Sequence, residues 1–547
     1  MDLNKIDMSM EKLINTLNED QRVIFDQMQV SDRLQICLPT GVGKGYLMGV
    51  DIKNRFVNGE SVIGIASHRL ILNTQHLGDI IDRLMDIIND VRFIFVGSQL
   101  SFDQLELQEN DNIKIPTQTL IKQVSEKSKL DKLISSNLER GKKTIIISTY
   151  HSLDKLSSLT IDTLYCDEAH TLASNEFNTR FEENFKSLNT KKSYFLTATP
   201  KDCSSDREDN DDVTFLMNNE NVFGERVGMS IHDAIYKGYI TRPIIHMAVP
   251  EDYENQDMDN ITNKVKFVID CFNSHTDHVK ESSSNPSEIG PKMLIKCESV
   301  DVMWEIYDKL LQSDLEDIKL FAGASRKGAG GASYQENGVE LDKQEHLSRL
   351  VNLTNTERAI VLHVDTLSEG VNVKAFTGVM FLTDKTPTII KLLQNIGRGT
   401  RVMDIDRKNF RNGDINTSDY EGWIKPNTFV ILPVYNPESK TSQEVLSTTI
   451  KNLRDKVGDS IYKVSIGDDK AKGGDDDLDS MVDGDFKDPR KKLVDAIDHN
   501  VEQMYRSVLD DKIGQHQVKL KEEKRWKELS EFINLRKEGK VDLTFFE

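Results

Sequence analysis

The pentapeptide Thr40-Gly41-Val42-Gly43-Lys44 follows the apolar run "LQICL" at 34–38 and leads into a helical pattern. A glycine-rich turn between a buried strand and a helix points backbone N–H groups and the positive helix end at a phosphate chain, and a lysine closing it reaches the terminal phosphates. The residue after that lysine, usually a serine or threonine whose hydroxyl ligates Mg²⁺, is Gly45. Downstream, "TLYCDEAH" at 163–170 ends an apolar run in two carboxylates. Ligands of open α/β sheets bind at the carboxyl ends of strands. There Asp167 can hold a Mg²⁺ that bridges phosphates, directly or through water, and Glu168 can align and deprotonate an attacking water. Alone, either feature has a plain structural reading, as a strand cap or as an acidic end that keeps a loop solvated. Together they point to phosphate chemistry.

Such groups act only if strand ends and helix starts bring them together. Along the first half, apolar runs alternate with helical patterns: "LQICL" (34–38), "SVIGIAS" (61–67), "RFIFVG" (92–97), "TIIIST" (144–149), "TLYCDE" (163–168) and "SYFLTAT" (193–199). Continuous β-branched runs separated by helices predict strands buried on both faces, hence a doubly wound parallel α/β sheet. The alternation resumes after about residue 225 with "PIIHMAV" (243–249), "KMLIKC" (292–297), "DIKLFAG" (317–323), "AIVLHVD" (359–365), "GVMFLTD" (378–384) and "TFVILPV" (428–434). A second α/β domain in tandem is expected.

Ahead of the first strand, residues 1–30 carry Leu13, Ile14, Leu17, Val23, Ile24 and Met28 at three- and four-residue steps, an amphipathic helical pattern. Polar stretches at 100–140, 201–222 and 324–347 lack apolar periodicity and read as surface insertions or loops. The acidic, glycine-rich 467–485 reads as a linker. Beyond it, Leu493, Ile497, Val501, Met504 and Val508 share one helical face, so a helical C-terminal appendage is expected.

Length and composition agree with this plan. A chain of 547 residues is too long for one compact core. Hydrophobic residues at 37% and charged ones at 29% lie in the globular range, with no long apolar run and no charged-then-apolar leader. A cytoplasmic protein without membrane contact is expected. The five cysteines, at 37, 166, 203, 271 and 297, form no CxxC pair, which argues against zinc and against a disulfide framework. A net charge of −20 disfavours nonspecific coating of nucleic acid, so any such site must be a local groove.

Read together, the motifs resemble those of superfamily 2 helicases and translocases, in the expected order over residues 17–401. "LPTGVGKG" looks like motif I, "ASHRLILNTQ" (66–75) like motif Ia, "STYHSL" (148–153) like motif Ic, "DEAH" (167–170) like motif II and "LTATP" (196–200) like motif III. In the second half, "MLIKCES" (293–299) is similar to motif IV, "DTLSEGVNV" (365–373) to motif V and "QNIGRGTR" (394–401) to motif VI.

The resemblance implies two tandem RecA-like parallel-sheet domains, at 1–225 and 226–460, with the linker and appendage at 461–547. It implies ATP and Mg²⁺ as cofactors. Gln21 would read the adenine edge, although a solvent-facing helix glutamine is an alternative on sequence alone. Thr40, Gly41, Val42, Gly43, Lys44 and Gly45 would cradle phosphates, Asp167 would serve the metal and Glu168 the water. Arg398 and Arg401, three apart on one helix face, would reach the γ-phosphate, with Gln394 and Gly370 on the same cleft surface. His170 and Thr197 would couple hydrolysis to motion of the second domain, and Arg69, Thr149 and Thr366 would touch a nucleic-acid backbone.

"TATP" and "QNIGRGTR" differ from the "SAT" and "HRxGRxGR" of the RNA-clamping DEAD-box branch. They resemble the branch that includes type I restriction motors, repair helicases and phage branch-migration helicases. The expected activity is an ATP-dependent DNA helicase or translocase, with an RNA helicase as the alternative. A reading of another class is an ATP-binding switch or scaffold whose hydrolysis is impaired because Gly45 offers no hydroxyl. Against it stand Lys44, Asp167, Glu168, Gln394, Arg398 and Arg401, all present. Protein partners are expected through the appendage, where Trp526, Phe532 and Ile533 could form a docking surface or simply pack.

Overall fold

The computed structural model describes residues 9–68, 80–97, 121–173, 188–201, 216–248, 260–313, 317–324, 333–364, 376–382 and 389–434, with isolated positions at 77, 315, 447–448, 451, 465–466 and 500. Two sheets dominate. The first comprises β1 (Arg33–Cys37), β2 (Val62–Ser67), β3 (Val91–Val96), β4 (Ile121–Val124), β5 (Lys143–Thr149), β6 (Thr160–Asp167), β7 (Asn189–Thr197) and β8 (Glu225–Gly228). All pairings are parallel, in the order β4-β3-β5-β2-β6-β7-β1-β8.

The second sheet contains β9 (Arg242–Ala248), β10 (Lys292–Cys297), β11 (Ile318–Gly323), β12 (Tyr334–Glu336), β13 (Val339–Glu340), β14 (Arg358–His363), β15 (Gly378–Leu382) and β16 (Asn427–Pro433). Its order is β13-β12-β11-β14-β10-β15-β16-β9, with the two-residue β17 (Ser465–Ile466) beyond β9; the strands from β11 to β9 pair in parallel, and the short β12 and β13 turn back antiparallel at the opposite edge. Each of the twelve apolar runs of the sequence is a strand. The two-domain α/β architecture is thus present, with both sheets in one compact unit.

The labelled helices are α1 (Met10–Asn15), α2 (Glu19–Val30), α3 (Lys44–Val57), α4 (Lys127–Glu139), α5 (Ile261–Ser282), α6 (Val300–Leu311), α7 (Lys343–Val351), α8 (Ile389–Gly399) and α9 (Asp404–Asn412). Several expectations need correction. The amphipathic leader is two helices, because Asn18 caps α2 through a reciprocal side-chain box with Gln21 and so ends the continuity with α1. Leu13, Leu17, Ile24 and Met28 are buried as the periodicity predicts, but Val23 is exposed. The described parts of the supposed insertions are ordered elements. Residues 121–139 form β4 and α4, and α4 buries Leu130 and Ile134. Residues 334–351 form the β12–β13 turnback and α7. Both were hidden by charged neighbours that dilute a short apolar signal. Most of 201–222, all of 467–485 and nearly all of the appendage lie outside the described residues.

Helix α3, which follows the glycine-rich loop, is tied to its sheet by one buried cation. Arg55 donates from Nε to Asp51 Oδ2 at 2.7 Å, from one terminal nitrogen to Glu60 Oε1 at 3.0 Å, and from the other to Met28 O at 2.9 Å and Tyr194 Oη at 2.8 Å. Asp51 is fully buried and also accepts from Tyr165 Oη. Arg55 thereby joins α2, α3 and β7, while the shared Asp51 brings in β6. Breaking a buried pair by removing one partner leaves an uncompensated charge, which costs about 3–5 kcal/mol. Arg55→Ala should lose about that much stability, measured by denaturant unfolding, and Asp51→Asn in addition should restore part of it.

In the second sheet, the ring of Phe429 on β16 is surrounded by His246 on β9 and by His275 and His278 on α5. His275 Nε2 lies 2.8 Å from Thr377 Oγ1, which fixes α5 against the start of β15. Burial pushes the His275 imidazole down to about 3, with His278 adding to the effect, and lowers His246 and His278 as well. The unfolded chain therefore takes up protons first as pH falls. Their contribution to stability is complete above the ordinary imidazole value of 6.5 and is lost as pH falls towards about 3. Unfolding midpoints should be flat above neutrality and decline below pH about 6, less steeply in His275→Gln.

Candidate nucleotide site between the two sheets

The carboxyl ends of the first sheet bring the expected groups to one edge. Cys37, Ser67, Thr149, Asp167 and Thr197 close β1, β2, β5, β6 and β7. Register aligns Cys37 with Thr197 and Asp167 with Leu196. Leu38 N donates to Thr197 O at 3.0 Å, so the phosphate loop leaves the sheet from a fixed point.

In the loop, Gly41 and Gly43 have φ of 96° and 100°, a region that side-chain-bearing residues rarely adopt. A Cβ on Gly43 would lie 2.9 Å from Gln21 Nε2, and one on Gly41 would lie 3.3 Å from Ile240 Cγ2 and 3.6 Å from Arg401 Cγ. Gly43 caps α3 without a side-chain hydrogen bond, so no capping side chain competes for the first-turn N–H groups. Lys44 opens the helix and its Nζ donates to Leu38 O at 3.3 Å, folding back over the loop. Gly45 is buried in the first helical turn.

Gln21 is buried, which removes the solvent-facing alternative. Its Oε1 accepts from Asn18 N at 3.0 Å while Nε2 donates to Val42 O at 3.0 Å and Gly43 O at 3.2 Å. It braces the loop from α2. Reading an adenine edge would require it to exchange one of these partners.

Asp167 is only 2% exposed, at the mouth of β6. Glu168 follows with φ 49°, a left-handed backbone in a residue that is not glycine. Thr171 holds the next peptide, donating to Glu168 O from N at 3.0 Å and from Oγ1 at 2.9 Å. Burial raises the Glu168 carboxyl above the ordinary glutamate value, with Lys44 opposing and Asp167 adding. A raised value suits a group that must take a proton.

His170 is the junction. Its Nδ1 lies 3.0 Å from Thr197 Oγ1 and 3.4 Å from Glu168 Oε2, and its Nε2 lies 3.3 Å from Gln394 Nε2 of the second sheet's α8. Burial, then the nearby Lys201, His68 and Lys44, push the imidazole down to about 3, so it is neutral. With the Gln394 amide nitrogen donating to Nε2, the remaining proton sits on Nδ1 and is shared towards Thr197 and Glu168. The expected pair His170 and Thr197 is thus in contact, and Gln394 extends it across the cleft.

The second half of the site comes from the end of α8. A Cβ on Gly397 would fall 2.6 Å from Thr40 Cβ, so glycine is what allows α8 to rest on the phosphate loop. Arg398 is buried and acts electrostatically on Glu168. The expectation that Arg398 and Arg401 share a helix face is corrected: α8 ends at Gly399, and Arg401 lies beyond it with its Cγ near Gly41. That exit is pinned from behind. Lys425 Nζ donates to Gly399 O and, at 2.9 Å, to Arg401 O, Thr428 Oγ1 donates to Gly399 O at 2.7 Å, and Thr241 N donates to Thr400 O at 2.9 Å. Burial lowers the Lys425 ammonium to about 7, with Asp406 opposing. The sequence reading missed Lys425, since a lone lysine ahead of a strand carries no spacing signal.

Thr149 is described, with its Oγ1 3.4 Å from Ser152 Oγ. Arg69, Thr366 and Gly370, and the aromatic group Trp526, Phe532 and Ile533, lie outside the described residues. Among the described residues no helix is long and apolar enough to cross a membrane.

Residues 7–202 match the family described as "Type III restriction enzyme, res subunit". Among solved structures, the ATP-dependent Type ISP restriction-modification enzyme LlaBIII bound to DNA is similar over 81% of this chain and 30% of its own, at 17% identity and a TM-score of 0.53. The DEAD-box helicase Mss116 bound to ssRNA and UDP-BeF is similar over 94% of this chain and 86% of its own, at 14% identity and a TM-score of 0.50. This chain thus spans less than a third of the length of the restriction-modification enzyme. No curated protein sequence matches it. The res-subunit match of residues 7–202 and the fold shared with these structures agree with the resemblance of the ordered motifs to superfamily 2 helicases and translocases.

Proposed function

We propose that the protein is an ATP hydrolase of the helicase or translocase kind that acts on DNA. The observation that carries this reading is the contact chain Thr197–His170–Gln394, which joins the hydrolytic edge of one sheet to a helix of the other. A scaffold that only stores nucleotide has no need for a neutral imidazole, aligned beside the water-activating carboxylate, that reports on the second domain. On this reading residues 1–225 and 226–460 are the two motor domains and 461–547 an accessory region.

Lys44 and the α3 N-terminus bind the phosphates, and Arg398 and Arg401 approach from across the cleft. There two guanidiniums stabilise charge that builds up in the phosphoryl-transfer transition state. Glu168 orients the attacking water and takes its proton. The buried Asp167 at the end of β6 and the start of α3, which has no capping side chain, fit a Mg²⁺ ion and the phosphates it would accompany. That ion supplies neutralisation of phosphate charge. Arg69, Thr149 and Thr366 are proposed to grip the nucleic-acid backbone. DNA is favoured by the res-subunit match of residues 7–202 and by the DNA-bound state of LlaBIII, together with "TATP" and "QNIGRGTR".

Phosphate release by the purified chain should rise about tenfold or more on adding single-stranded, duplex or forked DNA, and less with RNA. Lys44→Ala and Glu168→Gln should each lower the stimulated rate by about 10²-fold or more, in line with the loss of a positioned catalytic group. Rates indifferent to every nucleic acid would remove the motor reading. Preferential stimulation by RNA would move the substrate to that class.

Gly45 bears on the metal rather than on the chemistry. The missing hydroxyl is one of about six Mg²⁺ ligands, and a water can replace it. Gly45→Thr should therefore leave the maximal rate similar and reach half of it at lower Mg²⁺. Superimposable Mg²⁺ titrations of the two proteins would contradict this.

A further inference from the structure

Where β5, β2 and β6 end, one buried hydroxyl joins the loop proposed to touch nucleic acid to the loop proposed to hydrolyse ATP. Tyr150 opens a 3-10 segment, Tyr150–Leu156, directly after Thr149 closes β5. Its side chain is buried, and its Oη donates to the main-chain oxygen of Asp167 at 2.6 Å. The two strands are not neighbours. β2 lies between them, with Ser67 paired to Thr149 and Ala66 to Cys166. The hydrogen bond therefore reaches over the end of β2. Burial, with Cys166, Asp167 and Glu168 nearby, pushes the phenol well above its ordinary value, so it stays a donor.

The acceptor matters as much as the donor. The Asp167 carbonyl belongs to the peptide that precedes Glu168, the residue with φ 49°. A left-handed backbone in a glutamate persists only where its surroundings hold it. Thr171 holds the peptide that follows and Tyr150 the one that precedes. Together they set φ and ψ of Glu168, and so the direction in which its carboxylate leaves the chain. Of these two clamps, Tyr150 is the one whose chain neighbour is a proposed nucleic-acid contact.

We propose that Tyr150 is a positioning residue for Glu168, through which a nucleic-acid backbone held at Thr149 adjusts the carboxylate that aligns the attacking water. The inference rests on the motor reading above and deepens it, by naming how strand binding accelerates hydrolysis. Nothing in it needs Tyr150 to touch ATP or the strand.

Tyr150→Phe removes the hydroxyl and keeps the ring. In the full chain at saturating DNA, it should lower kcat for ATP about tenfold, the scale expected when one buried hydrogen bond is lost from the transition-state arrangement. KM for ATP should stay within about twofold, a split that a loosened fold would not produce. Thr149→Ala, measured at saturating DNA, should also lower kcat, and the double variant should be no slower than the slower single one. An unchanged stimulated kcat in Tyr150→Phe, or losses that multiply in the double variant, would overturn the proposal. If Tyr150→Phe fails to fold, Thr149→Ala decides alone: a full kcat at saturating DNA overturns it. A wild-type protein that no nucleic acid stimulates would remove the motor reading and this inference together. A stimulated wild type with an equally stimulated Tyr150→Phe removes the inference only.

Discussion

A buried imidazole can lie between a threonine hydroxyl and a glutamine amide only while it is uncharged. A second proton on His170 would put a donor on each nitrogen, and the Gln394 amide nitrogen would then face a donor rather than an acceptor. Burial and the surrounding cations Lys44 and Lys201 prevent that, holding the ring neutral far below neutrality. Its tautomer follows from Gln394, and its remaining proton is turned to the Thr197 and Glu168 side. Three segments far apart in the chain are made to agree on one geometry by a single ring. The same positive surroundings are what a phosphate chain requires, so the constraint that keeps His170 neutral also suits the anion proposed to bind here.

The rest of the fold supplies places for these groups. In parallel sheets every strand ends at the same edge, so residues that close β1, β2, β5, β6 and β7 meet without any special loop. This is why so much was legible in the sequence. A strand buried on both faces reads as a continuous apolar run, and the site residues stand immediately after such runs: Thr40 after β1, Asp167 at the end of β6, Thr197 at the end of β7. Lys44, Asp167, Glu168, His170 and Thr197 could be placed at one edge from strand ends alone.

What was not legible shares a different property. Tyr150, Lys425 and Arg55 act on main-chain carbonyls or on residues remote in sequence, and such partners leave no periodicity and no spacing. The left-handed φ of Glu168 is equally silent, because it is imposed by tertiary hydrogen bonds and not by residue type. Gln21 was legible as a residue that matters but not as a brace, since its choice between loop carbonyls and a ligand depends on what occupies the loop. The short β4, β12 and β13 were missed because strands of two to four residues among charged neighbours fall below any useful window.

The contacts across the cleft bear on how such a molecule could do work. They include the neutral Gln394–His170 contact, the seat of Gly397 on Thr40, the approach of Arg401 to Gly41, the electrostatic action of Arg398 on Glu168, and the bond from Lys237 to Asp20 on α2. A neutral hydrogen bond contributes about 0.5–1.5 kcal/mol net, and an exposed pair such as Lys237–Asp20 about 0–1 kcal/mol. Each of these two terms is small. What would shift the cleft decisively is an anion able to engage Lys44 from one side and the guanidiniums of Arg398 and Arg401 from the other, because charge-assisted bonds in a partly buried cleft exceed the neutral ones. On the proposed reading that anion is the γ-phosphate, so closure would depend on its presence and release on its loss. Such a motor requires that the protein's own cleft contacts do not decide closure: a cleft that closed firmly by itself would leave the nucleotide nothing to decide.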